Sequence, residues 1–205
     1  MLRVKICGIT NLSDAKHAMA CGADALGFVF AKSPRQADEA TVKIIGKALG
    51  EGVLKVGVFL DESVPRMLRT AERCGLDTLQ MHGAESDRVV RQVQGHGFQV
   101  LKAFRATGLE ALKQAEESPA DAVLFDTAFG GRFGGTGKTF DWHWLSGRTI
   151  RRPWFISGGL NPQNVKALLA VVRPYGLDVS SGVEVSPGKK NHQSVKEFIR
   201  HAKFA

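Results

Sequence analysis

The chain has 205 residues, of which 43% are hydrophobic and 23% charged. That is ordinary globular composition, and it supports one sizeable core without disulfides or a structural metal. It excludes a disordered tail, a coiled coil and a collagen-like repeat, and no apolar run approaches the ~18 residues of a membrane span. Lys and Arg number 28 against 20 Asp and Glu, a formal charge of +8. Such an excess suits an anionic substrate or nucleic acid, and equally a set of solvated helix faces. No basic run exceeds two residues and aromatics are only 8%, which counts against a basic tail or a base-stacking platform. The start, Met1-Leu2-Arg3-Val4-Lys5-Ile6, sets charges inside its apolar stretch, unlike a signal peptide. Cys7, Cys21 and Cys74 are sparse, odd in number and without a Cys-x-x-Cys pair, so neither a disulfide framework nor a zinc site is expected. A reducing cytoplasm fits this usage.

Taken in chain order, short β-rich runs alternate with helical patterns. Strands are expected at 3–7, 24–30, 54–60, 78–82, 99–104, 122–126, 154–157 and 177–180. Helices are expected at 12–20, 37–49, 63–73, 85–94, 108–117, 140–145, 162–172 and 193–203. Strand then helix, eight times, signals parallel βαβ units. At about 26 residues per unit, the pattern predicts a compact α/β protein, a (β/α)₈ TIM barrel occupying residues 1–205 as a single domain. An open doubly wound sheet is the alternative, but no Gly-x-Gly-x-x-Gly follows the first strand.

A weak repeat supports the barrel. Cys21-Gly22-Ala23-Asp24, Cys74-Gly75-Leu76-Asp77 and Tyr175-Gly176-Leu177-Asp178 share Gly-apolar-Asp before even-numbered strands, and Ser118-Pro119-Ala120-Asp121 varies it. The glycine reads as a helix stop needing positive φ. Cys21 and Cys74, each ending a helix before such a glycine, read as small buried hydrophobes.

In a parallel barrel the chemistry sits where strands end. Those ends carry Cys7, Ser33-Pro34-Arg35, Gln80-Met81-His82-Gly83, Asp126, Ser157-Gly158-Gly159 and Ser180-Ser181-Gly182. The last two place small residues after strands seven and eight, where barrels often bind phosphate through backbone N–H groups and a nearby helix N-terminus. The stretch Gly134-Gly135-Thr136-Gly137-Lys138-Thr139 resembles a P-loop superficially, but Arg132 stands where the first glycine belongs. It reads as a loop after the sixth strand.

Cys7 and Asp126 form a candidate proton-transfer pair. Period-two parity puts Lys5 and Cys7 on one face of their strand, and Ala122, Leu124 and Asp126 on one face of theirs. If both faces point inward, thiol and carboxyl meet across the mouth. The competing reading is a buried structural cysteine and a surface aspartate. The N-terminus of the following helix is expected to lower the Cys7 pKa, and desolvation on substrate binding to raise that of Asp126. Lys5 would point inside the barrel and need a partner, for which Asp178 on the neighbouring strand is the candidate.

At these residues the sequence closely resembles the phosphoribosylanthranilate isomerase family of tryptophan biosynthesis. The resemblance runs through Lys5-Ile6-Cys7-Gly8-Ile9-Thr10, Gly22 to Phe28, Ser33-Pro34-Arg35, Gln80-Met81-His82-Gly83 and Asp126. It continues through Gly134 to Gly137 with Phe140-Asp141-Trp142, Ser157 to Pro162, Asp178 to Glu184, and Pro187-Gly188. It covers nearly the whole chain, in order. One departure is Asn191 where Asp is expected, which reads as an exchange of helix N-cap.

The resemblance implies an Amadori rearrangement of N-(5-phosphoribosyl)anthranilate to 1-(2-carboxyphenylamino)-1-deoxyribulose 5-phosphate, with Cys7 as general base and Asp126 as general acid. It implies no cofactor and no metal. Arg35 matches a position that would hold the anthranilate carboxylate, and Gly158, Gly159, Ser180 and Ser181 match a phosphate cradle. Asp178 would reach a sugar hydroxyl, which competes with its pairing to Lys5. His82 could be a third proton carrier or a metal ligand, but pocket wall or hydrogen-bond donor is preferred, and Gln80 shares that reading. Arg132 and Lys138 would attract the anion or simply be solvated.

The expected partner is therefore a small anionic substrate, with no nucleic acid and no membrane, on a cytoplasmic monomer or homodimer. The rivals are a pentose-phosphate epimerase, which would want more His and Asp ligands at strand ends, and a non-catalytic phosphate- or nucleic-acid-binding module. The latter would show a steep salt dependence of DNA binding.

Overall fold

The computed structural model describes residues 2–127 and 141–204. Eight parallel strands close a barrel in sequence order: β1 (Arg3–Cys7), β2 (Ala25–Val29), β3 (Leu54–Phe59), β4 (Thr78–Met81), β5 (Gln99–Arg105), β6 (Ala122–Asp126), β7 (Trp154–Ile156) and β8 (Gly176–Val179). The ring closes where β8 pairs with β1, in a register that sets Lys5 opposite Asp178. Around it stand α1 (Leu12–Ala20), α2 (Glu39–Leu49), α3 (Val64–Cys74), α4 (Asp87–Gln94), α5 (Leu109–Glu117), α6 (Val165–Val171) and α7 (His192–Lys203). A short antiparallel hairpin, β9 (Glu184–Ser186) with β10 (Lys189–Lys190), lies between β8 and α7.

The expected barrel is therefore present, with three kinds of correction. The helix expected at 140–145 is a 3₁₀ turn over Trp142–Leu145, and Phe140 lies outside the described residues. The starts of α2 and α6 move inward because turn and capping residues take the boundary. Asp38 accepts from the Thr41 N–H at 2.9 Å, so α2 begins at Glu39. Asn161 accepts from the N–H groups of Gln163 and Asn164 in a turn that delays α6 to Val165. Several mouth residues, including His82, Ser157 and Ser180, lie just past the ends of their strands, although His82 N–H and Ser157 N–H still donate to Phe59 O and Phe125 O on the neighbouring strands. The Asn191 expectation holds: its side chain accepts from the Ser194 N–H at 3.0 Å, as an aspartate would.

Two layers of side chains follow from the strand pleat. Val4, Ile6, Leu26, Phe28, Leu79, Val123, Phe125, Ile156 and Leu177 point outward, where they pack on the helices in one continuous apolar layer. The alternate residues point inward. There the apolar packing is broken into two islands, Cys7–Val29–Val58 and Leu101–Ala103–Leu124. Lys5, Gln80, Asp126 and Asp178 are the buried polar inward residues beside them.

The repeat has a mechanical meaning that only partly matches expectation. Gly22 and Gly75 adopt positive φ, at 96° and 61°, as helix stops require. The aspartates that follow clip the preceding strand: Asp24 accepts from Val4 N–H, Asp77 from Lys55 N–H and Asp121 from Val100 N–H, at 2.7–2.8 Å. The fourth copy is different. Gly176 lies inside β8, and a side chain there would collide with the Phe155 ring. Its aspartate, Asp178, therefore sits within the strand and points into the barrel. Cys74 is buried as expected, whereas Cys21 is only half-buried, with its sulfur 3.3 Å from His17 Nε2.

Candidate active site

One cleft at the C-terminal mouth of the barrel is lined by all ten side chains and glycines singled out from the sequence. Cys7 ends β1 and Asp126 ends β6, and both face this cleft. Parity places them there, and the packing explains why each fits. Gly27 lies opposite Cys7 in the β1–β2 register, and a Cβ on Gly27 would come within 2.7 Å of the Cys7 sulfur. The glycine therefore makes room for the thiol.

The electrostatics of Cys7 correct the expectation of a lowered pKa. Burial pushes the thiol up, Lys5 and Lys190 oppose this, and the Asp178 carboxylate adds to it; the net direction is upward. In the resting protein Cys7 is a thiol, and what favours a thiolate is the pair of lysines rather than a helix end. Asp126 is shifted the other way. Burial raises its pKa, but hydrogen bonds from His82, Ser157 and the Thr127 backbone outweigh burial and lower it. Any rise must therefore come from a bound substrate.

A chain of hydrogen bonds crosses the barrel from Asp178 to Asp126. Lys5 Nζ donates to Asp178 Oδ2 at 2.9 Å and to Gln80 Oε1 at 2.7 Å. Gln80 Nε2 lies 2.8 Å from His82 Nδ1, and His82 Nε2 lies 2.9 Å from Asp126 Oδ2. The expected Lys5–Asp178 pair is thus formed, with Lys5 only 1% exposed. Burial works against its ammonium, but Asp178 and Cys7 outweigh burial and hold its pKa above the ordinary range. His82 is a hydrogen-bonding partner of Asp126. Among the described residues no group of three or more His, Cys, Asp or Glu side chains could hold a metal ion.

The second oxygens of both carboxylates, Asp126 Oδ1 and Asp178 Oδ1, are buried without a hydrogen-bond partner among the described residues. A buried acceptor left unpaired costs about 1–3 kcal/mol, so such atoms mark where a ligand donor is wanted.

Across the mouth, Gly158 and Gly159 adopt positive φ, at 89° and 64°. A side chain at Gly158 would collide with Thr127, and one at Gly182 with the Leu160 carbonyl. The N–H groups of Gly158, Gly159 and Ser181 have no acceptor among the described residues. They form a cradle suited to an anion. The helix expected to begin at Pro162 begins at Val165, so its dipole stands farther from the cradle than the sequence suggested.

Arg35 reaches the same cleft, but not alone. Its Nε and Nη2 donate to the Glu184 carboxylate at 2.8–3.0 Å, and Lys190 Nζ donates to the same carboxylate at 2.8 Å. Glu184 and Lys190 escaped sequence reasoning. Glu184 lay within a recognised motif without a role, and Lys190 was given no role although its side chain is fully buried. A period-two hairpin after Gly182 was the available signal, since it turns Lys190 inward. Burial lowers the Lys190 pKa, and Glu184 offsets this only in part. Arg132 and Lys138 lie outside the described residues.

Fold and site together define a (β/α)₈ barrel whose mouth gathers a buried thiol, a buried carboxylate and free glycine N–H groups in one cleft. Comparison with known proteins then identifies its kind. Residues 4–201 match the family model described as N-(5'phosphoribosyl)anthranilate (PRA) isomerase. N-(5'-phosphoribosyl)anthranilate isomerase of Desulforudis audaxviator is 45% identical over 100% of both chains. That of Thermotoga neapolitana is 44% identical over 99% of both. The crystal structure of phosphoribosyl anthranilate isomerase from Thermotoga maritima superimposes with a TM-score of 0.93 at 42% identity, covering 100% of each chain. The chain belongs to the N-(5'-phosphoribosyl)anthranilate isomerase family, isomerases of tryptophan biosynthesis. No helix among the described residues is long and apolar enough to cross a membrane.

Proposed function

We propose that this cleft converts N-(5-phosphoribosyl)anthranilate to 1-(2-carboxyphenylamino)-1-deoxyribulose 5-phosphate, with Asp126 as general acid and Cys7 as general base. Asp126 gives a proton to the furanose ring oxygen as the bond from that oxygen to C1 breaks, leaving a protonated Schiff base and a free C4 hydroxyl. Cys7 then removes the proton from C2, and its electron pair flows into the C1–N system to give an enolamine. Loss of the enol proton and protonation at C1 yield the aminoketone. No net oxidation occurs, because the hydrogen taken from C2 is balanced by the one gained at C1.

The observation that carries this reading is that Cys7 and Asp126 line one cleft while Asp126 Oδ1 is buried without a hydrogen-bond partner among the described residues. That oxygen is the free face from which a proton would pass to substrate. Asp178 Oδ1 is available to a sugar hydroxyl by the same argument. Gly158, Gly159, Ser180 and Ser181 would hold the phosphate, Gln80 and His82 would line the sugar, and Arg35, steered by Glu184, would meet the anthranilate carboxylate. A related structure, 40% identical with a TM-score of 0.89, holds reduced 1-(o-carboxyphenylamino)-1-deoxyribulose 5-phosphate. Another similar structure is of monomers generated from the dimeric Thermotoga maritima enzyme.

Turnover of freshly prepared substrate, followed by loss of its fluorescence, tests the reading. Cys7→Ser and Asp126→Asn should each lose at least ~10²-fold in kcat with KM changed only a few-fold, since each removes one proton transfer. Near-full activity in both would overturn the residue roles.

A further inference from the structure

The hydrogen-bond chain from Lys5 to Asp126 has a direction, and chemistry fixes it from one end. An ammonium can only donate. Lys5 Nζ sits 2.7 Å from the Gln80 amide, so the amide must turn its oxygen toward Lys5. That leaves the Gln80 NH₂ facing His82 Nδ1 at 2.8 Å. An amide NH₂ is a donor without a lone pair to offer, so Nδ1 must be the acceptor and carry no proton. The ring hydrogen then lies on Nε2, 2.9 Å from Asp126 Oδ2, and is donated to the carboxylate. Neither the amide orientation nor the tautomer is free once Lys5 is charged. Asp178, 2.9 Å from the same ammonium, keeps it so.

We propose that Lys5, acting through Gln80, locks His82 in the Nε2–H tautomer, so that a proton taken up by the His82–Asp126 pair resides on the carboxyl and not on the imidazole. The alternative placement, an imidazolium beside a carboxylate, would aim the Nδ1–H at the Gln80 N–H, two donors head to head. This inference rests on the reading of Asp126 as the acid, and explains how a carboxyl beside a histidine remains the member of the pair that holds the transferable proton. Lys5, Gln80 and His82 are positioning residues in this account. The same ammonium also stands beside the Cys7 sulfur, so one lysine conditions both ends of the reaction. Gly27 has room for both side chains, since a Cβ there would meet Cys7 Sγ at 2.7 Å and Lys5 Cε at 3.0 Å.

The ¹⁵N resonances of His82 in the unliganded enzyme, labelled at histidine and assigned by their loss in His82→Asn, read the tautomer directly. The expected spectrum at neutral pH has Nδ1 at the position of an unprotonated ring nitrogen and Nε2 at that of a protonated one. A protonated Nδ1 in the wild-type enzyme overturns the proposal, whatever the activity. Gln80→Glu supplies the second arm. The new carboxylate still accepts from Lys5 but can only accept from His82, so Nδ1 should gain a proton and its resonance should move accordingly. Turnover should fall between about 10-fold and 10⁴-fold, the upper figure being the cost of a wrong imidazole tautomer in a serine-protease triad, with KM little changed. An unshifted Nδ1 in Gln80→Glu overturns the relay. The assignment of Asp126 as acid fails separately, through an active Asp126→Asn enzyme, and leaves the resonance of Nδ1 untouched.

Discussion

The two layers of this barrel are built by opposite rules. Outside the strands, Ile6, Leu26, Phe28, Leu79, Phe125 and Leu177 meet the helices in one unbroken apolar layer. Inside, two small apolar islands flank a polar chain from Asp178 through Lys5, Gln80 and His82 to Asp126. Both layers are buried, so burial alone does not distinguish them. The outer layer lowers the free energy of the fold by removing apolar surface from water. The inner chain takes charges out of water at a cost that its partners only offset. The stability of the fold is thus lodged mainly between strands and helices, which leaves the interior free to hold chemistry.

The largest expected effect breaks the outer layer far from the mouth. Phe198 on α7 is fully buried against that layer. Phe198→Ala should cost about 3–5 kcal/mol of stability, lowering the melting temperature by about 10 °C for a chain of this size. Turnover of the folded fraction at low temperature should stay near that of the parent. Calorimetry and initial rates together check this, and a preserved melting temperature would show that the outer layer is not where stability lies.

The inner chain should respond the other way round. Lys5→Met alone strands the buried Asp178 carboxylate and should destabilise by about 3–5 kcal/mol. Adding Asp178→Leu replaces the ion pair by apolar side chains of similar volume, which is commonly neutral or stabilising. The double variant should therefore regain most of the lost stability in chemical denaturation, yet stay at least ~10²-fold down in turnover. If the double variant remained as unstable as the single one, the interior charges would be structural, and the contrast between layers would fail.

This contrast also explains what could be read in the sequence. Strand-helix alternation and strand-end position are one-dimensional, so the barrel and the ten mouth residues were legible. The repeat was legible as well, but its fourth copy was misleading. Asp24, Asp77 and Asp121 are rim clips, whereas Gly176 already belongs to β8 and Asp178 lies within the strand. Electrostatics was the least legible part. The Cys7 thiol is governed by Lys5, Asp178 and Lys190, which come from three separate segments and act only once folded together. Glu184 and Lys190 were missed for the same reason, since a lysine pair reads as surface until a partner carboxylate is seen.

The last expectation is an absence of change. In the mechanism proposed above the productive form would hold Cys7 as thiolate and Asp126 as acid, while the resting protein holds the reverse, with burial raising the thiol and His82 helping to lower the carboxyl. Both forms carry one proton between the two groups. Their ratio therefore does not depend on pH anywhere between the lowered carboxyl value and the raised thiol value. Below that window a second proton arrives and the thiolate is lost. Above it the last proton leaves and the acid is lost. Between about pH 5 and pH 8, kcat/KM should be flat, apart from the second ionisation of the substrate phosphate near ~6. A tenfold rise per pH unit across that range, with the phosphate ionisation accounted for, would mean that a single group titrates there. The pair would then not share one proton, and the polar chain that sets the two groups apart would have lost its purpose.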